Sequence, residues 1–358
     1  MSTSILVPEQ SASSTPLTGA ANNHRVHDMP YGAEVLEGAV RFRLWAPGMK
    51  SIQLALDTQQ EHLALEQSAE GWHEILTRDA GPGSRYSFVL PDGTQVPDPA
   101  SRFQPDDVHG SSEVIDPAAY IWQDADWRGR PWSEAVIYEL HTGTFSPQGT
   151  FQGAIDKLDH LVDLGITAIQ IMPVADFAGA RNWGYDGVLL YAPDSSYGRP
   201  EAFKALVNAA HQRGLMVFLD VVYNHYGPDG NYLSLYAPQM FTSHHKTPWG
   251  DAVNYDSEGS KAVREFAIHN ALYWLEEFHL DGLRLDAVHQ IKDDSPKHLL
   301  EEIAERVRSR DWGRPIHLIL ENEFNQAHRL RRDERGEPVE YTAPVSYTHL
   351  TLPTIYSV

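Results

Sequence analysis

The sequence predicts an α/β fold: an N-terminal β-sandwich followed by an incomplete (β/α)8 TIM barrel of about five β/α units. Three observations predict it. Up to about Pro117 the apolar residues come in short runs that alternate with polar ones and break at turn signals, with no helical period. From Ala135 onward, strand-like apolar runs take turns with helices of clear 3.6-residue period. Acidic residues stand at the ends of three of these later strands, where barrel packing alone would place apolar ones.

Taken in order, residues 1–23 are rich in Ser, Thr and Ala and read as a disordered lead. They have neither the basic start nor the apolar centre of a signal peptide. Residues 24–117 form the expected sandwich. Ala39–Trp45 sets Val40, Phe42 and Leu44 on one face and Arg41 and Arg43 on the other. Ile52–Leu56, Trp72–Leu76 and Tyr86–Leu90 follow, separated by Gly81-Pro82-Gly83 and Pro91-Asp92-Gly93. Trp45 and Trp72 are either sugar platforms or part of the packing.

A connector, 118–134, leads into the barrel, 135–340. Ala135–Leu140 is the first strand. Thr150 opens a helix with Phe151, Ile155, Leu158, Leu161 and Val162 on one face, closing near Gly165. Thr167–Val174 is the second strand, and Pro200 starts a helix that Gly214 ends. Leu215–Val222 is the third. The next helix repeats Val263, Phe266, Ala267, Ala271, Trp274, Leu275 and Phe278 at i, i+3 and i+4. In the fourth strand, Gly282, Arg284 and Asp286 share one face, with Leu283 and Leu285 opposite. Ser295-Pro296 reads as the N-cap and first residue of a further helix, and His317–Glu321 is the fifth strand. The turn after the first strand carries no G-x-G-x-x-G, which argues against a dinucleotide-binding sheet.

Composition narrows the partners. With 28 Lys and Arg against 49 Asp and Glu, the chain has a formal net charge of −21, which argues against nucleic acid and anionic membranes. The absence of cysteine excludes disulfides, thiolate metal sites and cysteine nucleophiles. No apolar run approaches a membrane span, and a cytoplasmic location is the expectation. Oligomeric state is not legible.

Paired carboxylates at a barrel mouth point to glycoside hydrolysis. Adjacent strands bring their ends to about the 5–5.5 Å that a retaining mechanism needs. Asp286, with Arg284 beside it to lower its pKa, is the candidate nucleophile. Glu321, behind the apolar run Leu318–Leu320, is the candidate acid. Glu323 has the same strand parity, so position favours Glu321 but alternation does not decide. Asp220, Asn224 and His225 fit either a metal site or a hydrogen-bond network; the network is preferred and no metal is expected. Trp183, Tyr185, Tyr223, Trp249 and Tyr255 supply flat rings suited to pyranose faces, or to loop packing.

The motifs Asp220-Val-Val-Tyr-Asn-His225, Gly282-Leu-Arg-Leu-Asp286, Glu321 and Trp183-Gly-Tyr-Asp186 together resemble the α-amylase superfamily of glycoside hydrolases, from about Ala135 to Leu330. The resemblance implies a nucleophile at Asp286 and an acid/base at Glu321. It also implies sugar contact by His225, stacking by Tyr185 and support of the nucleophile by Arg284. Tyr138–Phe145, Tyr223–Tyr232, His245–Gly250 and Asp286–Ile291, the last including His289, are similar to the superfamily's trehalohydrolase branch. That similarity implies a maltooligosyltrehalose or α-glucan substrate, cleavage of the α-1,4 bond next to a terminal trehalose, and no cofactor. The alternatives are a glycogen branching or debranching enzyme and a non-catalytic glucan-binding fragment.

The sequence departs from the superfamily at its end. The residues after Glu321 are too few for three further β/α units, and the superfamily's third carboxylate has no counterpart. A C-terminally truncated, catalytically inactive chain is the expectation, with 345–358 an artefactual tail.

Overall fold

The computed structural model describes residues 26–345 apart from Ala69 and Asn325. The expected lead and the 346–358 part of the expected tail lie outside the described residues.

Two antiparallel sheets precede the barrel. One orders Gly32–Leu36, Ala39–Trp45, Trp72–Thr77 and Glu66–Gln67. The other orders Leu63–Ala64, Gln53–Leu56, Arg85–Val89 and Gln95–Val96, with Ser112–Glu113 also paired to Arg85–Val89. Val40, Phe42 and Leu44 are buried, whereas Arg41 and Arg43 on the opposite face are only partly so. Phe42 of one sheet meets Tyr86 of the other with ring centroids 4.7 Å apart, so the apolar faces contribute to one core. Trp72 lies under the Arg43 guanidinium, 4.1 Å from the ring centre.

This unit is tied to the barrel by a buried ion pair. Arg102 donates from Nε and Nη2 to Glu277 Oε1 and Oε2 at 3.1 and 3.2 Å, and from Nη1 to Ala33 O at 2.8 Å. Tyr31 adds an edge contact to Phe266 and donates its hydroxyl to Ala262 O at 2.9 Å.

Six parallel strands follow, each paired with the next: Ile137–Leu140, Ala168–Ile171, Met216–Val221, Gly282–Leu285, His317–Glu321 and Ala343–Val345. Five were expected. The sixth lies beyond the expected barrel limit at 340 and is three residues long with a central proline, so it shows no strand period. Tertiary contacts seat it instead. Tyr341 is fully buried with its hydroxyl on Leu300 O, and Thr342 N–H donates to Leu318 O.

Leu283 and Leu285 pack outward in the main core with the helices Pro200–Gln212, Ser260–Glu277 and Leu299–Arg308. Met216, Phe218 and Ile319 cluster separately with Trp127 and Trp132 of the connector. Gly282 is required by close packing: a Cβ there would stand 2.1 Å from His317 O on the neighbouring strand. Two helix boundaries differ from expectation. The stretch after Thr150 divides into Phe151–Ile155 and Leu158–Asp163. The last helix starts at Leu299 with His298 as its cap, because the Ser295 hydroxyl is held by Asp293 and Lys297 O. No described helix is long and apolar enough to cross a membrane.

Candidate active site

The register of the parallel sheet brings the polar strand ends together. Asp220 of the third strand pairs with Arg284 of the fourth, and Arg284 with Ile319 of the fifth. Asp286 and Glu321 each lie two residues further along their chains, on the same faces as Arg284 and Ile319.

One guanidinium joins all three carboxylates. Arg284 Nη1 donates to Asp220 Oδ2 at 2.6 Å and to Asp286 Oδ1 at 2.9 Å, while Nη2 lies 3.0 Å from Glu321 Oε2. Asn224 Nδ2 donates to the Asp286 carbonyl at 2.8 Å and to Asp286 Oδ2 at 3.0 Å. The Ala287 N–H donates to Glu321 Oε2 at 2.8 Å. Ala287 can aim it there because its backbone is left-handed, φ 39°, an uncommon state for a residue with a side chain. No sequence signal announces this donor, since it belongs to the backbone.

Burial sets the electrostatics. The Asp220 side chain is wholly enclosed, and burial pushes its carboxyl up to about 8 despite Arg284 and the Tyr185 hydroxyl that donates to it at 2.9 Å. Asp286 is also raised above the ordinary carboxylate value, because burial outweighs Arg284. That corrects the expectation that Arg284 would lower it. A single cation facing three carboxylates cannot compensate all of them once water is excluded.

The other predicted residues divide. Asp220, Asn224 and His225 do not converge on one point. Asp220 bonds to Arg284 and Tyr185, Asn224 to Asp286, and His225 lies with Nδ1 against Asn224 Oδ1 while Nε2 donates to Tyr185 O at 2.8 Å. Trp249 stacks flush on the His225 imidazole, centroids 4.0 Å apart and planes 5° apart, and is half exposed. Trp183, in the loop between Ala175–Asp176 and Leu189–Pro193, is 74% exposed. Tyr223 and Tyr255 are buried, with hydroxyls on Asn270 Oδ1 and Tyr223 O, so they are packing residues and offer no face to a ligand. His289 is outside the Arg284 network and lies 3.5 Å from Glu323. Glu323 is itself exposed, so of the two glutamates only Glu321 joins Asp286 through Arg284.

The profile described as Alpha amylase, catalytic domain, matches residues 100–249. Malto-oligosyltrehalose trehalohydrolase of Saccharolobus solfataricus is 49% identical over 307 residues, which are 86% of this chain and 54% of that protein. The chain is similar to the α-amylase family. The enzyme of the same name from Deinococcus radiodurans is 48% identical over 291 residues, 81% of this chain and 47% of that one. Among solved structures, a putative α-amylase from Salmonella typhimurium superposes with a TM-score of 0.85 at 49% identity, covering 88% of this chain and 53% of its own. The chain spans about half the length of the curated relatives it matches.

Proposed function

We propose that the chain carries the catalytic carboxylates of a retaining glycoside hydrolase that cleaves the α-1,4 bond next to the terminal trehalose of maltooligosyltrehalose. The observation that carries this reading is the single Arg284 guanidinium ion-paired with Asp220, Asp286 and Glu321 at the ends of three adjacent parallel strands. The trehalohydrolase name of the Saccharolobus and Deinococcus relatives supports the substrate.

In this reading Asp286 attacks the anomeric carbon while Glu321 protonates the departing glycosidic oxygen, forming a glycosyl–enzyme ester. Glu321 then takes a proton from the water that hydrolyses the ester. Arg284 and Asn224 hold Asp286 in line, and Asp220 and Tyr185 fix the other side of the guanidinium. His225, Trp249 and Trp183 contact sugar; His289 contributes at the rim. Residues 24–117 form the sandwich, 118–134 the connector and the chain from 135 the catalytic barrel. The substrate is a neutral glucan and the location cytoplasmic, and the residues named here include no cofactor or metal ligand.

The test uses the chain as given and the chain joined to the C-terminal half of the Saccharolobus relative, assayed for trehalose release from maltooligosyltrehalose. Asp286→Asn should lose several orders of magnitude in kcat with binding largely kept. Glu321→Gln should be far more damaging than Glu323→Gln. Retention of more than about a tenth of the activity by Asp286→Asn would refute the nucleophile. Azide rescue at Glu323→Ala but not at Glu321→Ala would reverse the two glutamates.

A further inference from the structure

Away from the carboxylates, at the opposite ends of the same strands, lies a second buried charged cluster. His211 is at the end of the Pro200–Gln212 helix and is wholly enclosed. Both of its ring nitrogens lie on carboxylates: Nδ1 donates to Asp124 Oδ2 at 2.8 Å and Nε2 to Asp281 Oδ2 at 2.9 Å. A neutral imidazole has only one N–H, and Asp124 and Asp281 are both held below the ordinary carboxylate value, so two ionised carboxylates call for the imidazolium. Trp127 stacks on the ring, centroids 4.7 Å and planes 12° apart, and donates its indole N–H to Asp281 Oδ1 at 2.8 Å.

The charged and titratable groups of this cluster come from several elements. Asp124 comes from the connector, Asp281 from the start of the fourth strand, and His279 from the loop before it, with Nδ1 on Asp124 Oδ2. Arg314 precedes the fifth strand, with Nε 3.4 Å from Asp281 Oδ1. His317 begins that strand and donates from Nε2 to Arg130 O. His211 Nδ1 and His279 Nδ1 share Asp124 Oδ2 as their partner.

Asp281 does more than neutralise. Its side chain accepts from the Val217 N–H at 2.9 Å while its own N–H donates to Val217 O at 2.9 Å. It thereby completes the ladder between the third and fourth strands one step below Phe218–Gly282. Two residues up that ladder, Asp220 faces Arg284. A slip of one residue would turn Arg284 away from Asp220, because strand side chains alternate faces.

We propose that the His211 imidazolium, clamped between Asp124 and Asp281, is a positioning residue: it bolts the connector to the starts of the third and fourth strands and so holds the register that sets Arg284 against Asp220. The proposal rests on the site's geometry and not on which bond the site cleaves. Burial alone would lower the His211 pKa; Asp281 and Asp124 outweigh it and raise the ring above the usual histidine value. Burial likewise pushes Asp281 up, but the charge of His211 more than reverses it, to about 2. A group with a raised folded pKa stabilises below its unfolded value and loses that contribution as pH climbs through the folded one. The clamp therefore loosens as pH climbs through the raised value of the ring.

The experiment is nitrogen-detected NMR of the 358-residue chain with labelled histidine, arginine and asparagine, titrated from pH 6 to 10. His211 should show two protonated nitrogens at pH 7, and its alkaline step should be mirrored in the side-chain signals of Arg284 and Asn224. In His211→Gln that component should vanish from the Arg284 and Asn224 signals while far-ultraviolet dichroism stays native. Asp124→Asn, which keeps shape and removes one carboxylate, should move the His211 step down by about one pH unit or more. It carries the test if His211→Gln does not fold. A neutral His211 at pH 7, a step that stays put in Asp124→Asn, or Arg284 signals that ignore His211 would each overturn the proposal. So would a metal that co-purifies and whose chelation removes the His211 step.

Discussion

At the residue scale, the site's most consequential side chain is the one with least access to water. Asp220 keeps its proton in the folded chain up to about pH 8, whereas an unfolded aspartate releases it near 3.9. Between those values the folded state binds more protons than the unfolded one, so this group's contribution to stability falls as pH rises. Asp220→Asn keeps the shape and cannot ionise. Its melting temperature should therefore fall less steeply than the wild type's between about pH 4 and pH 8. Parallel melting curves across that window, recorded by calorimetry, would show that Asp220 titrates as a free carboxyl. The same balance explains Asp286: sequence adjacency to Arg284 was legible, but the direction of its pKa depends on how much water the neighbouring strands exclude.

At the element scale, the fourth strand does two jobs at once. Its leucines pack outward, its arginine points at the site, and Gly282 lets the fifth strand approach. Gly282→Ala would drive a Cβ into the His317 carbonyl, and backbone cannot yield there without unpairing the strands. The expected cost is about 1–3 kcal/mol, the range for overpacking, or more if the ladder opens. Equilibrium denaturation by urea measures it, and an unchanged midpoint would mean that the two strands separate at no cost. The alternation of this strand could be read directly from Gly282, Arg284 and Asp286. The sixth strand could not, because Ala343–Val345 is too short for a period and owes its place to Tyr341 and Thr342.

At the scale of the whole molecule, the N-terminal sheets and the barrel are held by the Arg102–Glu277 pair, both side chains almost fully enclosed. Removing one partner strands the other charge away from water. Glu277→Gln should destabilise by about 3–5 kcal/mol, the usual range for breaking a buried pair. Limited proteolysis should then cut within the connector 118–134, freeing the N-terminal unit. Equal protease resistance in the variant would show that apolar contacts such as Tyr31 with Phe266 hold the two units without the charge.

The sequence by itself determined what local pattern can encode. Period-two alternation marked the strands, period 3.6 marked the helices, and the acidic strand ends marked the candidate site at Asp220, Asp286 and Glu321. It could not separate Glu321 from Glu323, because both share one parity. Tertiary structure did so by bringing Glu321 to Arg284 and the Ala287 N–H while leaving Glu323 exposed beside His289. Nor could it show that Tyr223 and Tyr255 are enclosed, or that Asp124, His211 and Asp281 meet. Those facts depend on contacts between residues far apart in the chain and on the exclusion of water around them, and neither is written in the spacing of neighbours.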